Sequence, residues 1–311
     1  MVDLHILNGD AITPLFQQAE IPGEVFVWSE VLCAGRSAID MASEVHWGYR
    51  QTYLKETYSF FEQEKFDGIK KRFQSLDPHQ YKGIYLWFEY DLFCQINMLA
   101  LLAWLSTTNY AAAQIHLVCV GAHPEYDQLV GLGELTQKQF AALINTRQQL
   151  KETDLQTAST LWTLWCTGHH EALVETGLQL NQDRFPYVVP ALEAHIKRFP
   201  YSSTLLTEIE NQIIDLIKEK PQTAKAIVRQ LLNRENYYGF GDVQYYNIIK
   251  NLAPILREDQ GLLYLDASGD EQQQSTNHRT KINRNFFYGG TSQKDYFYSE
   301  RIGQLIKKGE L

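Results

Sequence analysis

In the stretch LWFEYDLFCQINMLALLAWL, residues 86–105, a run of apolar side chains is interrupted by two acids, Glu89 and Asp91. Carboxylates so placed can cap a helix, move a proton or hold a cation. Other chemistry-bearing residues occupy the same kind of position, directly after a short apolar run. Asn8, Gly9 and Asp10 follow LHIL, Ser29 and Glu30 follow EVFVW, and Gly121, Ala122 and His123 follow IHLVCV. If these runs are neighbouring strands, Asp10, Glu30, Glu89 and Asp91 converge on one crevice, where like charges oppose each other's ionisation. A hard divalent ion such as Mg²⁺ or Mn²⁺, shared with a substrate phosphate, relieves that conflict. The pattern therefore predicts metal-assisted hydrolysis or transfer on a phosphorylated or nucleotide-like small molecule. Asp10 and Glu89 are its metal ligands or general base, and Glu30 assists. Arg36 and Arg50 are candidate cations for a phosphate or carboxylate, with surface or ion-paired arginine as the plain alternative.

Each acid also has a structural reading. Asp91 immediately precedes Leu92 and reads as the N-cap of the apolar helix Leu92–Leu105. Glu89 is too far from that helix start to cap it. Thr13-Pro14 reads as an N-cap followed by proline at the first helical position, which leaves Asp10 in a loop. His169-His170-Glu171 reads as a solvated helix start, because adjacent residues point to different helix faces. There is no GxGxxG after the first strand, no GxxxxGK[ST], no HExxH and no GxSxG, which disfavours a dinucleotide fingerprint, a P-loop, a zincin and a nucleophile elbow. Cys33, Cys94, Cys119 and Cys166 are dispersed without CxxC or zinc-like spacing and read as reduced, buried thiols.

The elements that must position these residues follow from hydrophobic periodicity. LHIL (4–7), EVFVW (24–28), IYLWF (84–88) and IHLVCV (115–120) read as buried strands separated by helices, hence an α/β, Rossmann-like parallel sheet covered on both faces, residues 1–135. From 136 to 200 the strand signal disappears. LTQKQFAALINTRQQLK, DLQTASTLWTLWCT, HEALVETGLQL and VPALEAHIKRF read as a helical bridge. Residues 201–311 give three helices, in TLLTEIENQIIDLIKEK, TAKAIVRQLLNRE and VQYYNIIKNL, then strands LLYL (262–265) and NFFY (285–288). That is the order of a winged-helix-like α+β domain, with a polar loop at 266–284.

The 311 residues carry a net charge of −9. Residues 1–196 hold 12 Lys/Arg against 23 Asp/Glu, which argues against broad binding of a nucleic-acid backbone there. In the third helix of the last region Lys250 is the only base, so a protein partner, or a second copy bound through the aromatic carboxy-terminal region, is favoured over DNA. The longest near-apolar run, Met98–Leu105, is short of a membrane span, and the amino terminus lacks signal-peptide features, so a cytoplasmic location is expected.

HILNGD (5–10), VWSEVLCAG (27–35), residues 86–105, FPYVVPALEAHIKRFP (185–200) and YYGFGD (237–242) together resemble the bacterial family filed as domain of unknown function 1835, with its frequent companion, domain of unknown function 3658. The resemblance covers residues 1 to about 255 and implies no established reaction. Its hallmark positions fall on Asn8, Gly9, Asp10, Trp28, Glu30, Glu89, Asp91 and Gln95, in the crevice reached from the strand ends. Where the family often carries a second acid, this chain has Cys94.

Overall fold

The computed structural model describes residues 1–234, 237–266 and 279–309. The four apolar runs form parallel strands β1 (Leu4–Asn8), β2 (Glu24–Trp28), β3 (Ile84–Glu89) and β4 (Ile115–Val120), and a short antiparallel strand, β5 (Gln148–Gln149), adds to the edge in the order β2-β1-β3-β4-β5. The fold is mixed α/β, with a five-stranded, mostly parallel sheet and eleven α-helices among the described residues. The chain leaves β1 toward β2 on one side, yet β3 pairs with β1 on the other. Strand order therefore reverses between β1 and β3, where open α/β sheets bind ligands at their carboxyl ends.

Successive strand residues point to opposite faces. Leu7 and Trp87, paired in register, join Val118 and Val120 in a buried cluster with Ile12, Phe16 and Phe140. This face is covered by α1 (Thr13–Gln18) and, later in the chain, Gln137–Ala142. On the opposite face, α2 (Glu44–Thr57) and α3 (Gln63–Gln74) close around Trp28, whose ring centroid lies 5.0 Å from Phe73 and 6.2 Å from Trp47. Phe73 also packs against Trp104 of α4 (Leu92–Ser106), at 4.8 Å. Twelve of the fifteen residues of α4 are buried, because α6 (Glu152–Thr167) covers the side that the sheet leaves open.

Local differences from the sequence reading have physical causes. Thr13 does not cap α1: the cap position is Ile12, without a side-chain bond, and the Thr13 hydroxyl has no hydrogen-bond partner among the described residues. A 3-10 turn at Asp10–Ile12 supplies the approach instead. The long helix read over 135–151 is α5 (Gln137–Ala142), a 3-10 turn at Leu143–Thr146 and β5, whose two exposed glutamines carry no hydrophobic signal. HEALVETGLQL gives a 3-10 turn and then the short α7 (Leu173–Gly177), and VPALEAHIKRF gives α8 (Val188–Ile196).

The chain divides into two compact units, one of residues 1–192 with 287–291, the other of 193–286 with 292–311. In the second, α9 (Glu208–Glu219) is capped reciprocally: the Thr207 hydroxyl accepts from Glu210 N and the Glu210 carboxylate from Thr207 N. Arg284 then grips both oxygens of Glu210, at 2.7 and 2.8 Å. Helices α10 (Ala224–Leu232) and α11 (Asp242–Asn251) follow, then an antiparallel hairpin of β6 (Leu256–Asp259) and β7 (Leu262–Leu265). LLYL thus pairs with the strand before it and not with NFFY, of which only Phe287–Tyr288 is extended in a strand. Most of the loop read at 266–284 lies outside the described residues.

Candidate functional site

At the reversal between β1 and β3, the polar side chains of the strand exits are drawn into one network by the start of α4. Asn8 donates from Nδ2 to Cys94 Sγ (3.0 Å) and accepts from Asn97 Nδ2 (2.7 Å). Asn97 also donates to the Glu30 carbonyl (2.6 Å) and accepts from Leu32 N (3.1 Å), so one asparagine in an apolar helix ties together the exits of β1 and β2. Gln95 donates to the Glu89 carbonyl (2.5 Å) and to Cys119 Sγ (3.6 Å), fixing the end of β3 against β4. Gly9, at φ 97°, makes the turn out of β1 in a conformation that other residues rarely adopt.

Asp91 is the N-cap of α4, its Oδ1 accepting from Cys94 N at 2.8 Å. Burial nevertheless pushes its carboxyl up to about 6, against the N–H groups of Cys94 and Phe93 that favour the ionised form. Glu89 also has a backbone role that sequence spacing did not show. Its Oε1 accepts from Leu132 N at 2.8 Å, at the start of the 3-10 turn Leu132–Glu134. Gly131 packs against this carboxylate so closely that a Cβ there would lie 2.9 Å from Oε2. Burial, and then the charge of Asp91, raise the Glu89 carboxyl to about 7.

Potential ligand atoms of Glu89, Asp91 and Cys94 all lie within 4.8 Å of one another, and this is the one such group of three among the described residues. Burial and the two neighbouring acids push the Cys94 thiol up as well. No Lys or Arg pairs with either carboxylate among the described residues. Two oxygens and a sulfur suit a borderline ion better than a strictly hard one.

The other expected site residues are placed elsewhere. Asp10 is largely exposed, engages Lys65 Nζ (2.6 Å) and Ser29 Oγ (3.3 Å), and is not a member of the group of three formed by Glu89, Asp91 and Cys94. Glu30 is sequestered with Arg50, both side chains at most 1% exposed, and Arg50 spends its remaining donors on carbonyls of the same loop. Trp28 belongs to the aromatic core. Arg36 stacks on Phe287, 3.8 Å from the ring centroid. His123 accepts from Glu125 N (3.2 Å) and lines a cavity of about 400 Å³ beyond β4. The participants that sequence reading passed over are Cys94, taken as a plain buried thiol, Asn97 and Gly131. A polar residue inside an otherwise apolar helix was the available signal for Asn97.

The chain matches no known protein family and no curated protein. No helix among the described residues is long and apolar enough to cross a membrane.

Proposed function

We propose that the first unit is an enzyme that uses a divalent cation, held by Glu89, Asp91 and Cys94, to hydrolyse or transfer a group on a small phosphorylated or nucleotide-like molecule. The observation that carries this reading is the convergence of those three side chains where strand order reverses in the mostly parallel sheet, the place where ligands enter such sheets. Each of the three holds its proton above the ordinary range, first because burial penalises the charged form and, for Glu89 and Cys94, also because of the neighbouring acids. A cation held by these three residues would supply the missing positive charge and the Lewis acidity to activate water toward a phosphorylated substrate. With a thiol among the donors, Mn²⁺ or Zn²⁺ is favoured over Mg²⁺.

Calorimetric titration of the metal-free protein with Zn²⁺ and Mn²⁺ tests the reading. One ion should bind per chain with release of protons, Glu89→Gln should weaken it at least about tenfold, and Asp10→Asn should leave it unchanged. Equal binding by wild type and Glu89→Gln, or no binding, removes the metal from the mechanism.

A second reading, a ligand-sensing regulator, draws on the second unit. Gln222, between α9 and α10, pairs antiparallel with Leu263 of β7, so β7 lies between Gln222 and β6. The order helix, short extended segment, two helices and hairpin supports a winged-helix-like reading of this unit. The third helix opens with Asp242 and exposes Tyr246 and Asn247 beside its single base, Lys250, which favours protein over DNA as partner. Anisotropy titration with duplex DNA should show no salt-sensitive binding; a steep salt dependence would reassign the domain to DNA.

A further inference from the structure

The cavity of about 400 Å³ at the outer edge of β4 is not used by the carboxylate cluster, and its walls lie entirely in the first unit. Its size is that of a small-molecule pocket. It lies past the end of a short ladder: the two strands pair only at His116↔Gln149 and Leu117↔Gln148. In an antiparallel ladder, the residues that exchange hydrogen bonds with a given neighbour alternate along the strand. Leu150 N donates to the Ile115 carbonyl, which places Ile115 and then Leu117 in bonding positions toward β5. The next in that series is Cys119, whose ladder partner would be residue 146. There the chain is in a 3-10 turn, and both Cys119 and Thr146 line the cavity. The alternation therefore puts the backbone N–H and C=O of Cys119 on the β5 side of the strand, beyond the last ladder pair among the described residues, Leu117↔Gln148. Such groups seek a donor and acceptor side by side.

The walls, which include the carboxylate of Asp183, favour a flat ligand without negative charge. Leu117, Ala142 and Leu143 are apolar, and the rings of His123 and Tyr187 also line the space. Arg184 contributes no loose charge, because Nε and Nη2 bind both carboxylate oxygens of Asp154 at 3.0 Å. A phosphate would find the lining arginine already paired with a carboxylate and a second carboxylate, Asp183, in the wall, whereas a planar heterocycle meets apolar faces, aromatic rings and an amide edge.

We propose that this cavity seats a nucleobase, read along its edge by the main chain of Cys119. The choice of a nucleotide as the whole ligand rests on the function proposed for the neighbouring cluster; the fit of a base to the cavity does not. The two are separated by titrating the protein, in the presence of a chelator, with adenosine, guanosine, cytidine and uridine, observed by saturation-transfer NMR and calorimetry. At least one nucleoside should bind, with Kd about 1 mM or tighter. Ala142→Trp places an indole in the cavity from an exposed position on α5. It should weaken that nucleoside at least about tenfold while leaving Zn²⁺ or Mn²⁺ binding unchanged, which also reports that the variant is folded. Absence of binding by all four nucleosides, or equal binding by wild type and Ala142→Trp, overturns the assignment whatever the metal titration gives. Nucleoside binding that Ala142→Trp removes, in a variant whose circular dichroism and urea midpoint match wild type, sustains it even if no cation binds at Glu89.

Discussion

Replacing Arg50 by Met should destabilise the first unit by about 3–5 kcal/mol, the range for removing one partner of a buried ion pair. The side chain is fully buried, with Nε 2.9 Å from Glu30 Oε2. It also donates from Nη1 to the carbonyls of Ala34 (2.7 Å) and Arg36 (3.2 Å) and from Nη2 to that of Val31 (2.9 Å). Methionine keeps much of the volume but leaves the Glu30 carboxylate in the interior without its cation, and three carbonyls without this donor. The loop concerned is the exit of β2, whose Glu30 carbonyl is held by Asn97, so its loosening reaches the network around Asn8. In urea unfolding, Glu30→Gln combined with Arg50→Met should cost less than Arg50→Met alone, because the unpaired charge is then absent. A loss below about 1 kcal/mol for Arg50→Met, typical of a surface pair, would show that the guanidinium is not what holds this loop.

What was legible in the sequence was whatever local chemistry decides. Four apolar runs bounded by turn residues gave the four parallel strands, two of them to the residue, because β-branched and aromatic side chains in a run of five or six fit a sheet covered on both faces. Asp91 ahead of an apolar helix was recognisable as a cap for the same local reason. The partners of the candidate site residues were not legible. Arg50 lies 20 residues from Glu30, and Leu132 lies 43 from Glu89. These distances in sequence close only through the packing of α2 on the sheet and the return of the chain after β4. An acid at a strand exit looks the same in the sequence whether it is largely exposed, like Asp10, or half-buried against a loop, like Glu89. Strand β5 was illegible for the opposite reason: two glutamines at an edge have no burial to advertise, and their pairing is set by the antiparallel return of the chain against β4.

The same burial that singles out Glu89 should make it a liability for stability above neutral pH. Its carboxyl is raised from 4.5 to about 7, so between those values the native chain holds a proton that the unfolded chain has released. Stability falls as pH rises wherever the native state binds more protons. The contribution is therefore complete below the unfolded value near 4.5 and is lost as pH climbs through about 7, for a total of about 3 kcal/mol at 1.36 kcal/mol per unit. Glu89→Gln carries no titrating proton and can still accept from Leu132 N through its amide oxygen. In chelator-treated protein, the variant should match wild type near pH 4.5 and exceed it by up to about 3 kcal/mol at pH 8. Asp91, raised over a lower window, is present in both proteins, so the difference between their pH profiles largely isolates Glu89. An equal gain at both pH values would mean that Glu89 ionises normally and that the amide stabilises by packing alone. Added Zn²⁺ or Mn²⁺ separates strain kept for function from an accident of packing. At pH 8 the ion occupies the place of the missing proton, so it should restore stability to wild type and do little for Glu89→Gln. A destabilised carboxylate that a cation rescues is what selection for a binding site leaves behind; one that a cation ignores would have no reason to be kept charged and buried at this edge of the sheet.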